Sequence, residues 1–355
     1  MTVNVIIILT ILVTGLILWS SMVHRVKTWR AMMTPLASII GSGFLVLGPI
    51  LETACGKYAP IVMVELCLGT YFYGAAIRYN INDIEFRDPG KFWLMEKLEI
   101  AASWSLGFAY IISIAYYLNF FGSFGVSLTT VNDAMHSKLL TSAVFIIILF
   151  VGWTRGFKTL EHLEYISVTT KLTIIAGLLI GLAIYFSDKV SQGGLIYNPP
   201  MQSGWSSIAL SFGLIVTVQG FETSRYLSDA YDNQTRIRSM KFAQWISSAI
   251  YIVYICLLAY VFERGTLKLT ETAIIDIMGV VAPIFPLLLV AAALAAQFSA
   301  AIADTSGCGG LLGELSRNRI SARMSYGLLT GVGLALTWPI NIFEIINYAS
   351  RAFAA

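Results

Sequence analysis

Among the charged side chains inside or at the ends of long apolar runs are Glu65, Lys171, Glu222 and Asp304. A charge within a bilayer is costly and marks a pathway or binding site for an ion or small solute. Lys171 lies about eight residues into its run, roughly 12 Å at 1.5 Å per residue. At that depth its stem can snorkel to the surface, or its ammonium is held inside. Burial disfavours a lysine's charged form, so a buried one is suited to proton exchange near neutrality. Glu222 lies in Gln219-Gly220-Phe221-Glu222-Thr223. It reads as a proton-carrying or gating acid, as an acceptor for freed backbone donors, or as a partner for Arg225. Glu65 reads as a partner for a neighbouring helix. Asp304 is expected at a helix end, in solvent. Ser299, just over one turn deeper, can line an ion site or simply bond back to its own helix.

The second chemical signal is glycine. Residues 34–56, "TPLASIIGSGFLVLGPILETACG", are apolar enough to cross a bilayer, yet carry Gly41-Ser42-Gly43 at the centre and Gly48-Pro49 beyond. An unsatisfied backbone group in lipid costs several kcal/mol, so irregular backbone at that depth is buried in protein or lines a cavity. Freed N–H groups favour a carboxylate, and freed carbonyls favour a cation or ammonium group. Gly41 and Gly43 let a ligand approach the backbone; their other use is close helix packing. Gly177 and Gly181, a G-x-x-x-G, are assigned to packing. The run "SIALSFGLIVTVQGFETSRY" again places a glycine and polar groups deep in an apolar segment.

These residues need membrane helices to position them. The chain has 355 residues, 57% hydrophobic and 12% charged, against roughly 25% charged in soluble domains. A core about 30 Å thick needs about 20 apolar residues. That rule predicts a leader span at 3–23 and ten further spans near 34–54, 58–79, 98–128, 138–154, 163–187, 205–226, 240–262, 282–303, 324–340 and 342–355. The leader has no preceding positive charge and no A-x-A site, so it reads as a retained anchor. With the segment after it placed in the cytoplasm, sixteen Lys and Arg fall in inside loops and five in outside loops, which sets the orientation and leaves the N-terminus extracytoplasmic. Residues 266–281 are expected to form a lid-like hairpin helix. The last span is expected to be short, or the sequence a fragment. The run "ADTSGCGGLLGELSRNRIS" reads as a basic, glycine-rich loop after span 8.

Other chemistries lack their residues. There is no G-x-x-x-x-G-K-[ST], H-E-x-x-H or G-x-S-x-G, so neither an ATP-driven pump nor an enzyme is indicated. Four cysteines without C-x-x-C spacing and three isolated histidines argue for no metal or disulfide framework, and no cofactor is expected.

The two breaks lie five spans apart. An odd offset makes them run in opposite directions, as an inverted repeat requires. "TPLASIIGSGFLVLGP" resembles the first helix, and "VQGFETSRY" the sixth, of the amino acid–polyamine–organocation (APC) superfamily. The resemblance covers spans 1 to 10; the leader is extra, and the usual twelve helices are not reached. It implies an all-α membrane protein with a LeuT-type 5+5 inverted repeat. Residues 1–30 would be the added span and linker. Residues 31–355 would be the transporter domain, with repeats at 34–187 and 205–355. It further implies a secondary transporter of amino acids or related organic cations and zwitterions in a bacterial inner membrane. Gly41, Ser42 and Gly43 would offer N–H groups to a substrate carboxylate. Carbonyls near Ile39 and at Gly220 and Phe221 would take its ammonium, with Phe221 also a gate. Glu222 and Tyr116, the latter on the third helix with Tyr117, would line the cavity. Lys171, with Ser299, would fill the sodium place between helices 1, 5 and 8, so that a proton is expected as coupling ion rather than sodium. The partners are then a small solute and the lipid bilayer, with no nucleic acid. A nucleobase or inorganic-ion transporter, and a transport-inactive sensor or scaffold, are the alternatives.

Overall fold

The computed structural model describes residues 2–41, 43–83, 93–202, 204–205, 210, 213–228, 230–263, 273–317, 319–340 and 344–345. All regular structure among them is helical. In lipid a helix satisfies its own backbone groups, which is why apolar runs of this length take that form.

The N-terminal run forms α1 (Thr2–Leu18) and a single turn, α2 (Ser21–His24). Next come α3 (Lys27–Ile39) and α4 (Gly43–Cys55), with irregular backbone between them. A 3-10 turn at Gly56–Tyr58 leads into α5 (Ala59–Asp83), followed by α6 (Trp93–Ser127), α7 (Ala134–Thr154) and α8 (Phe157–Ser191). In the sixth predicted span residues 205, 210 and 213–214 are helical, and two 3-10 turns, Ile215–Val218 and Phe221–Tyr226, then meet at Gln219 and Gly220. Then follow α9 (Asn233–Leu258), α10 (Ala273–Val281), α11 (Phe285–Leu315) and α12 (Ala322–Thr337).

Among the described residues six helical segments are long and apolar enough to cross a bilayer. Eleven spans were expected. The physical reason for the difference lies in particular segments. The first span is divided into two 13-residue helices, and the sixth has residues 206–209 and 211–212 outside the described part and closes in two 3-10 turns. The leader helix has 17 residues and α12 has 16. The tenth span lies almost wholly outside the described residues, as does the first part of the expected lid; α10 is its described remainder.

One boundary differs more sharply. The glycine-rich run expected as a loop continues α11 to Leu315. Its glycines are packing positions. A Cβ on Gly309 would lie 3.0 Å from the Tyr326 ring, and one on Gly310 would lie 2.5 Å from the Tyr226 carbonyl oxygen. Small residues let helices approach this closely.

The G-x-x-x-G of α8 has an identified partner, the added helix α1. A Cβ on Gly177 would meet Ile11 at 2.7 Å, and one on Gly181 would meet Phe285 at 2.4 Å and Ile7 at 3.1 Å. The Tyr165 hydroxyl donates to the Leu18 carbonyl at 2.8 Å, and the Tyr165 ring meets His24 edge-on at 4.7 Å. So α1 is seated along α8, the helix that carries Lys171. The other face of α1 exposes Leu9, Leu12 and Leu16, as suits contact with lipid.

Two apolar clusters fill the interior. One joins α3, α4, α8 and α9 through residues such as Leu36, Phe44, Leu178 and Tyr251. The other joins α6, α7, α11 and α12 through Tyr110, Phe145, Leu311 and Tyr326. The polar site lies between them.

Candidate functional site

The end of α3 organises the site. Ile40 leaves helical geometry (φ −88°, ψ 61°). Carbonyls in the last turn of a helix lack intrahelical partners and need others. Lys171, fully buried, provides one. Its Nζ donates to the Ala37 carbonyl at 2.9 Å, the Ile40 carbonyl at 2.6 Å and Ser299 Oγ at 3.0 Å. Ser299 in turn donates to the Ala296 carbonyl at 3.1 Å. The ammonium therefore ties α8 to the broken end of α3 and to α11.

The second break is built on Gly220, whose φ of +113° is open to glycine and rarely to other residues. A Cβ there would lie 2.4 Å from Ser38 Oγ and 2.7 Å from the Ser38 carbonyl carbon. The two breaks thus touch directly. Glu222 folds back so that Oε2 accepts from the Gly220 N–H at 2.9 Å. That contact is the one expected of an acceptor for a freed backbone donor. Arg225 pairs with Glu99 and not with Glu222.

The remaining expected residues are placed as follows. The Ile39 carbonyl is taken by the Tyr251 hydroxyl at 3.0 Å, which also donates to the Thr217 carbonyl at 3.1 Å. Gly41 faces Ala300 and Tyr117, each 3.4 Å from where a Cβ would be. Gly43 faces Thr217 at 2.8 Å by the same measure. Ser42 lies outside the described residues. Phe221 is buried. Tyr116 is half-buried, 5.2 Å from Tyr117 and 4.9 Å from Phe120 between ring centroids. The structure therefore gathers Ile39, Gly41, Gly43, Gly220, Phe221, Glu222, Lys171 and Ser299 around the two breaks. Glu65 is exposed on α5, away from them.

Asp304 corrects the expectation of a solvated helix end. Because α11 continues past it, the side chain is 1% exposed. Its carboxylate accepts from Ser38 Oγ at 2.8 Å and from Ser113 Oγ. It links α3, α6 and α11 directly beside the breaks. Glu164 was not singled out from sequence. It is fully buried on α8, and Oε2 accepts from Thr34 Oγ1 at 3.2 Å. A cavity of about 1240 Å³ opens towards the basic loops, with Lys27, Arg30, Lys158, Glu161, Tyr226 and Ser306 among its lining.

Comparison with known proteins decides the family. A model described as "APC superfamily transporter" matches residues 21–355. The chain belongs to the APC superfamily of transporters. A protein of Aquifex aeolicus (strain VF5), named "Uncharacterized protein", is 40% identical over 341 residues, covering 94% of this chain and 83% of its own length. The match begins after α1 and includes the helices that form the breaks. As an APC transporter the protein is integral to a membrane and handles a small-molecule substrate. Its broken helices and the buried Lys171 lie within the matched region.

Proposed function

We propose that this APC transporter carries amino acids or related small organic zwitterions and cations by a sodium-independent route, with a proton as the coupling ion. The observation that carries the reading is the contact of Lys171 Nζ with two carbonyls of the α3 break and with Ser299. These are hard oxygen acceptors converging on one point, the donor set that a bound cation would use. A fixed ammonium supplies the positive charge there without sodium.

The reading takes the molecule as a LeuT-type pair of inverted repeats. The α3–α4 break and the break at Gly220 are then the symmetry-related substrate elements. N–H groups of the Gly41–Gly43 segment bind the substrate carboxylate. The carbonyls of Ile39, Gly220 and Phe221 bind its ammonium, Phe221 covers the site, and Tyr116 lines the approach. Since the Tyr251 hydroxyl occupies the Ile39 carbonyl here, substrate entry displaces that contact. Loss of the Lys171 proton weakens the hold on the α3 end and frees it to move. The 16-to-5 distribution of Lys and Arg supports a cytoplasmic position for the basic loops, an extracytoplasmic N-terminus and a bacterial inner-membrane location.

Uptake of radiolabelled amino acids and amines into proteoliposomes tests this proposal. Concentrative uptake of at least one of them is expected under an imposed proton gradient. Reconstituted protein that takes up none of them contradicts it.

A further inference from the structure

Two matched rows of side chains run from the cavity at the basic end to the α3 break. On α8 they are Glu161, Glu164 and Lys171; on α3 they are Arg30, Thr34 and Ala37. Spacings of three, four and seven residues keep each row on one helix face. The rows are joined rung by rung. Arg30 meets Glu161 at 3.4 Å, Thr34 Oγ1 donates to Glu164 at 3.2 Å, and Lys171 donates to the Ala37 carbonyl at 2.9 Å. The outer rung lines the cavity. The inner rung is the coupling contact proposed above.

The middle rung is incomplete. Glu164 is fully buried, and its Oε1 has no hydrogen-bond partner. A buried carboxylate oxygen without a donor is expensive, and a proton on it removes that cost. Lys171 is equally buried, and its hydrogen-bond partners are carbonyls and a hydroxyl, with no carboxylate among them. Two states leave this interior with no net charge from the pair. Either Lys171 is an ammonium and Glu164 a carboxylate, or both are neutral. Each differs from the other by one proton moved.

We propose that Glu164 is a proton-holding site that exchanges with Lys171 at one side and with the cavity at the other. In the exchange an N–H bond of the Lys171 ammonium breaks and its electron pair stays on nitrogen. An O–H bond forms on Glu164 Oε1. Seven residues of helix separate the two, about 10 Å of rise, so water carries the proton between them. Cavity water then takes the proton from Glu164 past the Glu161 rung. The other charged or titratable groups near Glu164 are already engaged. Glu161 is held by Arg30 and by the Tyr231 hydroxyl. Asp304 on α11 is held by Ser38 and Ser113. The His24 ring meets the Tyr165 ring edge-on.

This inference rests on the reading of Lys171 as the coupling group, and its test needs no transported solute. Infrared difference spectra of the full-length protein in lipid, recorded between alkaline and acid pH, report carboxylic acid groups by their C=O band. The wild type is expected to gain such a band on acidification. Exposed carboxyl groups add to that band, and Glu164→Gln removes the Glu164 component of it. Lys171→Met, which deletes the exchange partner, leaves Glu164 protonated throughout, so the band persists at alkaline pH. Thr34→Val keeps the carboxyl but removes its hydroxyl donor, and is expected to shift the band's frequency; it serves if Glu164→Gln fails to fold. A Glu164→Gln spectrum superimposable on wild type overturns the proposal, as does a Lys171→Met response identical to wild type or an unshifted band in Thr34→Val. Strict sodium dependence of uptake would instead overturn the coupling role of Lys171 and leave the carboxyl band in place.

Discussion

Lys171→Met isolates what the ammonium does for the α3 break. Methionine keeps most of the stem, so the apolar packing of α8 changes little. It brings no donor to the Ala37 and Ile40 carbonyls, which lose contacts of 2.9 and 2.6 Å. Leaving a buried acceptor unpaired costs about 1–3 kcal/mol, so two orphaned carbonyls amount to about 2–6 kcal/mol. Ser299 still donates to the Ala296 carbonyl and loses less. Against this, the variant no longer desolvates an ammonium, a relief of about 1–4 kcal/mol when a buried ion gives way to an apolar group. At the middle of each range, about 4 against about 2.5 kcal/mol, the orphan cost is the larger, and a net loss of about 1.5 kcal/mol is expected. At about 2–4 °C per kcal/mol, Tm in detergent should fall by about 3–6 °C. Lys171→Ala opens room beside the same oxygens. In that variant sodium chloride should raise Tm relative to choline chloride, by about 1.4 kcal/mol of stabilisation at ten times Kd. The wild type should not distinguish the two salts. A Lys171→Met protein as stable as wild type would refute the claim that this ammonium holds the break.

Three further outcomes follow from local geometry. Gly220→Ala places a Cβ 2.4 Å from Ser38 Oγ at a φ of +113°, combining backbone strain of about 1–3 kcal/mol with a contact against main chain; thermal unfolding should show marked destabilisation, and an unchanged Tm would contradict the direct contact of the breaks. Gly177→Leu drives a side chain into Ile11 at 2.7 Å and should destabilise the α1–α8 pair by about 1–3 kcal/mol, whereas Gly69→Ala, where an added Cβ meets nothing beyond its own helix within 4 Å, should leave stability unchanged or raised; equal effects in unfolding assays would count against the seating of α1 on α8. Asp133 caps α7, and the backbone N–H of His136, then its side chain, hold its carboxyl below the usual carboxylate range. Its contribution is present above the unfolded value and lost as pH falls through the lower folded value, so the stability gap between wild type and Asp133→Ala should close on acidification; a gap that widens would reverse that assignment.

Sequence carried much of this arrangement because several residues stood out against an apolar background. Lys171 is a lone charge in a long run, and Gly41 and Gly220 interrupt segments that otherwise read as continuous helix. Other features depended on what crosses them. Glu164 falls at the start of the predicted span 163–187, one helical turn after Glu161, where nothing in its own residues shows what it meets; the crossing of α3 sets Thr34 against it. Asp304 precedes a run of glycines that reads as a loop. Those glycines instead seat Tyr226 and Tyr326 against a continuing helix, which carries the acid into the interior. The G-x-x-x-G of α8 was legible as a packing face, but nothing in its own residues named α1 as the helix it receives.

Sodium replacement tests the central claim most directly. Proteoliposomes containing the wild-type protein are assayed for uptake of the radiolabelled amino acids and amines under an inward proton gradient, with all sodium exchanged for choline. The account predicts uptake that persists in choline, varies with pH, and is lost in Lys171→Ala. Uptake that stops when sodium is removed, or a Lys171→Ala protein with the wild-type pH profile, would contradict it.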